Sequence, residues 1–494
     1  MSEKLVLGPL LSIENDNKYV VCFLSKTNLD YSIVFDNDTI VKAKKLANLN
    51  NGYFYRAEYT IKALENSRYV TYQIQNEKGF LKDFNKRDSW KFYIPAKNEK
   101  AKFAYASCNG FSSPDLLAKT DVPYKLWEKL EKNHKKEPFS VLVMGGDQVY
   151  ADELWSKVLE LEKWTKLKMK EKIKRRASKT MIKQLKDFYE KLYISKWSDK
   201  SMSLALATIP TVMMWDDHDI FDGWGSYPDE LQTCDVYKNI FSVAKKYFEI
   251  FQIRTIKNTS LLSKKREHYS FALKFRNYHI LALDNRAQRS IYTVMGNDEW
   301  KDINTYLDEN ILNDNLLVLS AVPVVYRDFS CTEALVDFSS WQEELTDDLK
   351  DHWRAKEHQG ERMRLIMRLF MNIKKRKENG QNTRTVILSG DVHVGSLGVI
   401  NDKENKDKIH QVVSSGIVHT PPSYIEWLGI SAVTNDNNEF LNEDKTIETS
   451  MLTPIGSSKY LRVRNFVTIN EGTDEKLWIN WICDNKDKPC YALN

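Results

Sequence analysis

The sequence predicts an α/β fold: a parallel sheet buried on both faces carries a cluster of metal-ligating side chains, preceded by an N-terminal antiparallel β-sandwich. Three observations support this. Four apolar runs, KFAYASCN (Lys102 to Asn109), VLVMGGDQVY (Val141 to Tyr150), PTVMMWDDHD (Pro210 to Asp219) and TVILSGDVH (Thr385 to His393), stop abruptly in groups such as thiol, carboxylate, phenol or imidazole. Short continuous apolar runs suit strands covered by helices on both faces. The first 95 residues instead hold short aromatic and β-branched runs, and the long stretches between the later apolar runs have helical spacing.

In chain order, KYVVCFL, YSIVF, YFYRAEYT, RYVTYQIQ and SWKFYIP are separated by Asn-Asp, Asn-Gly and charged turns, a pattern that builds a small immunoglobulin-like or fibronectin-like antiparallel sandwich over residues 1–95. Pro95 to Lys100 reads as a charged linker, and residues 101–494 form the sheet-bearing domain. Residues 153–206 are a Lys- and Arg-rich helical insert, with Trp155, Leu159, Leu161 and Trp164 at helix-compatible spacing and the charges facing outward. DLKDHWRAKEHQGERMRLIMRLFMNIKKRKENG is the helical crossover onto the last strand, with His352 and His358 expected on its surface. The tail LRVRNFVTINEGTDEKLWINWIC reads as a terminal hairpin over the sheet edge.

Composition narrows the function classes. With 73 basic and 68 acidic residues the net charge is only +5, and Glu and Asp intersperse the lysines of the insert, so a solvated helical face is expected and specific nucleic-acid binding is not. No segment reaches the ~20 apolar residues of a membrane span. The start MSEKLVLGPLLSIENDNKY lacks a signal-peptide pattern and a twin-arginine pair, and six irregularly spaced cysteines suit free thiols, so a cytoplasmic location is expected. A Cys483–Cys490 disulfide has only proximity in its favour. Neither a Gly-x-Ser-x-Gly elbow nor a Gly-x-x-x-x-Gly-Lys loop is present.

Open α/β sheets gather ligands at the carboxyl ends of their strands, so Cys108, Asp147, Tyr150, Asp217, Asp391 and His393 are expected to converge. Carboxylates so crowded raise one another's pKa unless a cation compensates, and a binuclear or multinuclear metal site resolves the conflict. Thiolate and phenolate donors favour ferric iron (Fe3+) at the Cys108 and Tyr150 end. Oxygen donors such as Asp217 suit a harder divalent ion beside it, Ca2+ first, with Mn2+ and Zn2+ as the other candidates.

The ordered set resembles the calcineurin-like metallophosphoesterase superfamily, whose signature runs Asp-x-His, Gly-Asp-x-x-Asp, Gly-Asn-His and Gly-His-x-His. Ser107-Cys108 stands near the first motif and Gly146-Asp147-Gln148-Val149-Tyr150 at the second. Asp216-Asp217-His218-Asp219 stands at the third and Gly390-Asp391-Val392-His393 at the last. These departures resemble the PhoD-like (alkaline phosphatase D) branch, as does the run from Trp215 to Ser226. The resemblance covers Phe103 to Ser415 and implies a metallophosphoesterase four-layer αββα sandwich.

It also implies roles. Asp147 is the expected bridging ligand, Cys108 and Tyr150 lie on the iron side, His393 binds the first metal, and Asp217 and Asp391 bind the second. His218 is the candidate general acid and Asp219 the group that orients it. The superfamily's further His, between the third and last motifs, has no counterpart in LLVLSAVPVV (Leu316 to Val325). Asn109, Gln148 or a water is left to fill that place, and His279 reads as a core or edge residue. Asn109, Asp284, Arg286, Arg289 and His419 are the candidate substrate contacts. The implied reaction is phosphoric ester hydrolysis by a metal-activated hydroxide attacking phosphorus in line, on a small or polymeric phosphodiester or monoester. The alternative is a weakly active or inactive scaffold on the same fold, using the basic insert as its contact surface.

Overall fold

The computed structural model describes residues 4–36, 38–255, 257–328 and 351–494. Cys331 and the first three residues of the expected crossover helix lie outside them. Two large sheets stack face to face and helices cover their outer faces, which gives the four-layer αββα arrangement.

Alternation along each strand builds the layers. In the strand Lys102–Ala106, Phe103 and Tyr105 point into the space between the sheets while Ala104 and Ala106 face the helices. Val141 and Val143 of Val141–Gly145 repeat this inward direction, and Leu142 and Met144 the outward one. The facing sheet supplies Ile280, Leu317, Leu319, Val386 and Leu388 to the same central core. Fully burying each such Val, Leu or Phe contributes roughly 1.5–3 kcal/mol.

In the first sheet, Lys102–Ala106, Val141–Gly145 and Thr211–Met214 run parallel side by side, with Phe103 opposite Val141 and Leu142 opposite Thr211. In the second, Tyr278–Ala282, Asn315–Leu319, Thr385–Ser389 and Asp407–Val413 do the same. A parallel bridge between Ser107 and Gly416 ties the carboxyl ends of the two sheets together.

All five expected N-terminal runs are strands: Lys18–Ser25, Ser32–Phe35, Gly52–Thr60, Arg68–Asn76 and Trp90–Ile94. The strand Leu5–Asn15 was not among them, and it pairs in parallel with Thr211–Met214 and antiparallel with Lys18–Ser25. The first sheet therefore crosses the linker at Pro95 to Lys100, and only a five-stranded sheet including Ser32–Phe35 and Arg68–Asn76 stands apart from it.

The insert is helical, and Lys179–Trp197 is its longest helix, capped by Ser178, whose hydroxyl accepts from Met181 N. Its fully buried Glu190 accepts from the amides of Asn50 at 2.9 Å and Asn51 at 2.6 Å, holding the N-terminal hairpin turn. Leu161 and Trp164 are buried as the spacing required, but Leu159 is exposed at the head of its helix. His352 and His358 are buried, against expectation. His358 Nδ1 bonds the His352 carbonyl at 3.1 Å, a turn ahead of the helix Gln359–Glu378 that folds both rings inward.

The terminal hairpin is present: Asn465–Glu471 pairs with Lys102–Ala106 on one side and Leu477–Cys483 on the other. Cys483 and Cys490 are free thiols, because the register sets Cys490 opposite Asn480. Among the described residues no helix is long and apolar enough to cross a membrane.

Candidate metal centre

The sheet ends place their polar residues with unusual backbone geometry. Cys108, Asp147, Asp391 and His393 all adopt left-handed φ values, 52°, 54°, 65° and 52°. Such conformations cost a non-glycine residue of order 1–3 kcal/mol and persist only where the surroundings enforce them. Here neighbouring loops do so: Cys108 N donates to the Gly146 carbonyl at 3.3 Å, Asn109 N to Asp147 O at 2.8 Å, and His419 N to Cys108 O at 3.1 Å. Four of the six expected ligands are thus turned sharply off their strands.

Two groups of side chains have their ligand atoms within 4.8 Å of one another: Asp147, Asp217 and His218, and Asp216, Asp217 and Asp391. Asp217 is common to both, and Asp147, the bridging ligand that the resemblance implies, lies in the first. Burial first, then the surrounding carboxylates, raise the Asp147 carboxyl well above its ordinary range even though His218 opposes this. Burial likewise lifts Asp216 to about 7 against the pull of Arg286. Tyr150 Oη donates to Asp147 Oδ2 at 3.2 Å. The Tyr150 phenol and the Cys108 thiol are both pushed well above their ordinary values, by burial first and then by Asp147.

Buried Asp147 Oδ1, Asp216 Oδ2, Asp217 Oδ1 and His393 Nδ1 have no hydrogen-bond partner. Unsatisfied buried acceptors are costly and rare, and concentrated on one cluster of carboxylates they fit cations. Burial, followed by His419 and His218, holds the His393 imidazole well below its usual pKa, which keeps it in the neutral form that ligates metals.

Around this centre the structure redistributes several expected roles. Asp219 does not touch His218. It accepts from Gln148 N at 3.1 Å, Val149 N at 3.2 Å, Asp216 N at 2.9 Å and Gln252 Nε2 at 2.8 Å, bracing the second and third motif loops. The carboxylate on His218 is Asp152, whose Oδ2 accepts from Nδ1 at 2.9 Å. Burial opposes protonation of His218, but Asp152, Asp217 and Asp147 together raise its pKa well above the ordinary value.

Asn109 does not fill the missing imidazole position, since its amide donates to Gln148 O at 3.1 Å and accepts from Trp127 Nε1 at 2.8 Å. Gln148 is also turned away, donating to the Met214 carbonyl at 3.1 Å. Asp284 is buried and accepts from Trp215 Nε1 at 2.7 Å and Tyr269 N at 2.7 Å, a structural strut instead of a substrate contact.

Arg286 is fully buried. It forks onto Asp351 through two bonds of 2.7 Å, bonds Asp216 through Nε, and turns Nη2 toward Asp217 at 3.5 Å and Asp391 at 4.0 Å. Arg289 joins the same carboxylate at 2.8 Å. Arg286 therefore neutralises the wall of the centre from inside, while Arg289, paired to Asp351, keeps its Nη1 without a hydrogen-bond partner. His279, in its strand, bonds Tyr306 at 2.8 Å away from the site, as expected of a core residue. His419 does reach the centre, stacking on His393 at 3.7 Å and on Tyr150 at 5.4 Å.

Comparisons with known proteins identify the fold and the family. A family model described as PhoD related phosphatase matches residues 71–342 and 335–441. The Saccharomyces cerevisiae protein YGR266W is 26% identical over 508 residues, covering 84% of this chain and 68% of that protein. The solved structure of PhoD superposes with a TM-score of 0.60 at 15% identity, over 99% of this chain and 89% of its own. That of purple acid phosphatase PPD1 from yellow lupin (Lupinus luteus) seeds gives 0.54 at 11% identity, over 98% and 74%. At such identities the two structures establish a shared fold. The family match spans most of the chain and takes in all six expected ligands, His218 and His419: the chain belongs to the PhoD-related phosphatase family.

Proposed function

We propose that the chain hydrolyses phosphoric esters at this centre with a pair of bound cations. The observation that carries the reading is the sharing of Asp217 by two ligand groups, one fully buried and containing a protonatable His218, the other reaching half-buried Asp391. Asp147, Asp217, Asp391 and His393 would hold the cations, with Cys108 and Tyr150 at one end. The chemistry such ions supply when bound is charge neutralisation on the phosphoryl group and acidification of water.

The protein's own groups do the rest. His218, held by Asp152, gives its Nε2 proton to the departing oxygen. Asp152 fixes the ring and the tautomer by holding Nδ1. Asp219 and Arg286 hold the motif loops and the Asp216 carboxylate in place, so little reorganisation is needed on substrate arrival. Ferric iron beside Cys108 and Tyr150 is part of the proposal, since two buried acids pushed toward their neutral forms need a strongly charged partner to ionise. The free thiols of the described cysteines accord with action in a reducing compartment.

The test is elemental analysis of protein purified without chelators, together with hydrolysis of an aryl phosphate monoester and an aryl phosphodiester. Two metals per chain and turnover of either ester that Asp147→Asn abolishes are expected. Protein that stays inactive after iron, calcium, manganese and zinc are supplied would overturn the enzymatic reading in favour of a scaffold.

A further inference from the structure

Directly after the His419 loop the chain forms the helix Tyr424–Val433, YIEWLGISAV. Its outward face is apolar. Tyr424, Ile425 and Leu428 are 65%, 79% and 50% exposed, and Gly429 and Ala432 complete the same side. These positions recur at helical spacing, so they form one continuous apolar stripe. Glu426 is the helix's only charged residue, and it is used in the cap: its Oε2 accepts from Ser423 N at 2.6 Å while the Ser423 hydroxyl accepts from Glu426 N at 3.3 Å. Among the described residues nothing polar interrupts the stripe. Scattered exposed apolar side chains need no explanation, but a contiguous face does.

What surrounds the stripe indicates what covers it. Arg462 lies over the Tyr424 ring, 5.2 Å from its centroid, and its Nη1 is buried without a hydrogen-bond partner. Arg462 also lines a cleft of about 490 Å³ together with Lys119, Lys125 and Arg464, against only two carboxylates, Asp121 and Asp484. Asp484 is already taken by Lys125 at 2.7 Å and Arg464 at 2.6 Å. The same cleft is walled by half-buried Pro421 and by Val122, which is 47% exposed, so apolar groups from two distant parts of the chain border it. Its Thr420 follows His419, which stacks on His393 of the metal centre.

We infer that the helix Tyr424–Val433 is a peripheral docking element for an anionic lipid surface. The apolar stripe enters the acyl boundary, as an interfacial amphipathic helix does. Tyr424 at its margin suits the headgroup level, where an aromatic ring has both an apolar and a wet side. Arg462 lies beside it, and Lys119 lines the same cleft as Arg462; both meet negatively charged headgroups, which attract clustered cations at short range. The guanidinium of Arg462 at the margin of the stripe, with its Nη1 unpaired, favours an anionic lipid surface over the neutral apolar groove of a protein partner. Docked this way, the cleft lined by Thr420 and Arg462 faces the lipid surface, a consequence independent of which ester the centre hydrolyses.

The test uses the full chain and flotation with phosphatidylcholine vesicles, with and without phosphatidylserine. Wild type is expected to float with the phosphatidylserine vesicles and to be released by salt. The double substitution Ile425→Asp with Leu428→Asp is expected to lower the vesicle-bound fraction at least tenfold while turnover of a soluble aryl phosphodiester is unchanged. Arg462→Gln with Lys119→Gln is expected to reduce the preference for phosphatidylserine severalfold. Wild type that ignores both kinds of vesicle, or a double variant that binds as well as wild type, would overturn the proposal. So would a wild-type dimer in gel filtration that the same double variant converts to monomer without any vesicle binding, since a second copy would then be the occupant.

Discussion

Asp152 grips His218 through one carboxylate oxygen, 2.9 Å from Nδ1, and accepts the Asp222 amide at 2.9 Å through the other. The ring is therefore oriented by a residue on the loop after the second motif, and Tyr150, two residues earlier, stacks on the same ring at 4.1 Å. Replacing Asp152 by Asn keeps the shape but removes the charge that holds His218 protonated. Supporting groups of this kind typically contribute 10–100-fold. Asp152→Asn is expected to lower kcat by about that factor on alkyl phosphate esters and by much less on aryl esters, whose leaving groups need no proton. Equal losses on both classes, measured side by side, would remove the acid role from His218.

Tyr150 and Cys108 are acids that the protein keeps neutral by burial and by the neighbouring Asp147. If they bind ferric iron, the purified protein absorbs visible light through charge transfer, and Tyr150→Phe shifts or abolishes the band. Loading the metal also releases protons, so affinity rises with pH. A colourless preparation, fully active with zinc or manganese alone, would contradict the iron assignment.

Gly146 precedes Asp147 with φ of 110°, and a Cβ there would lie 3.0 Å from the Asp216 Cβ and 3.3 Å from that of Ala321. Alanine is hindered both by the backbone conformation and by the lack of space. Gly146→Ala is expected to destabilise the fold by about 2 kcal/mol or more and to cost metal content through displacement of Asp147. Denaturant midpoints compared with wild type read the first effect and elemental analysis the second.

His134 accepts the Phe139 amide on Nδ1 at 3.0 Å, so the folded protein holds the ring neutral. Burial first, then Lys102 and Lys91, lower its pKa to about 4 from an ordinary 6.5. With the folded value depressed, the unfolded chain binds the proton more readily between these limits. The contribution to stability is thus complete above about pH 6.5 and is lost as pH falls toward 4, amounting to about 1–3 kcal/mol. His134→Gln is expected to flatten the decline of the urea midpoint across that window. His352 and His410, also lowered to about 4 by burial, keep part of it.

The strand ends were readable because an apolar run that stops in Asp, Cys or His has few physical interpretations. Cys108, Asp147, Asp391 and His393 all turn out to be bent off their strands. Asp152 was not readable, because it lies in a loop where no periodicity distinguishes a ring-orienting carboxylate from a solvated one. Arg286 and Arg289 carried the signature of a phosphate clamp, and only the position of Asp351, distant in sequence, shows that both guanidinium groups are engaged by a carboxylate. Local composition misled in the same way at His352 and His358, which sit among charged residues yet are buried. The strand Leu5–Asn15 contains Gly-Pro and so breaks the usual strand pattern, and its parallel partner is some two hundred residues away.

The strand order of the first sheet has a consequence for biogenesis. Lys102–Ala106, Val141–Gly145 and Thr211–Met214 are flanked by Leu5–Asn15 on one side and by Asn465–Glu471 on the other. During synthesis, the outer edge of Lys102–Ala106 stays unpaired until the final hairpin emerges from the ribosome, and unpaired strand edges invite aggregation. The loop bearing Cys108 hangs from that same strand, so a nascent chain stalled before residue 465 has its ligand-bearing loop on an unfinished edge. Chains released before residue 465 would accordingly leave that edge open and depend on chaperones.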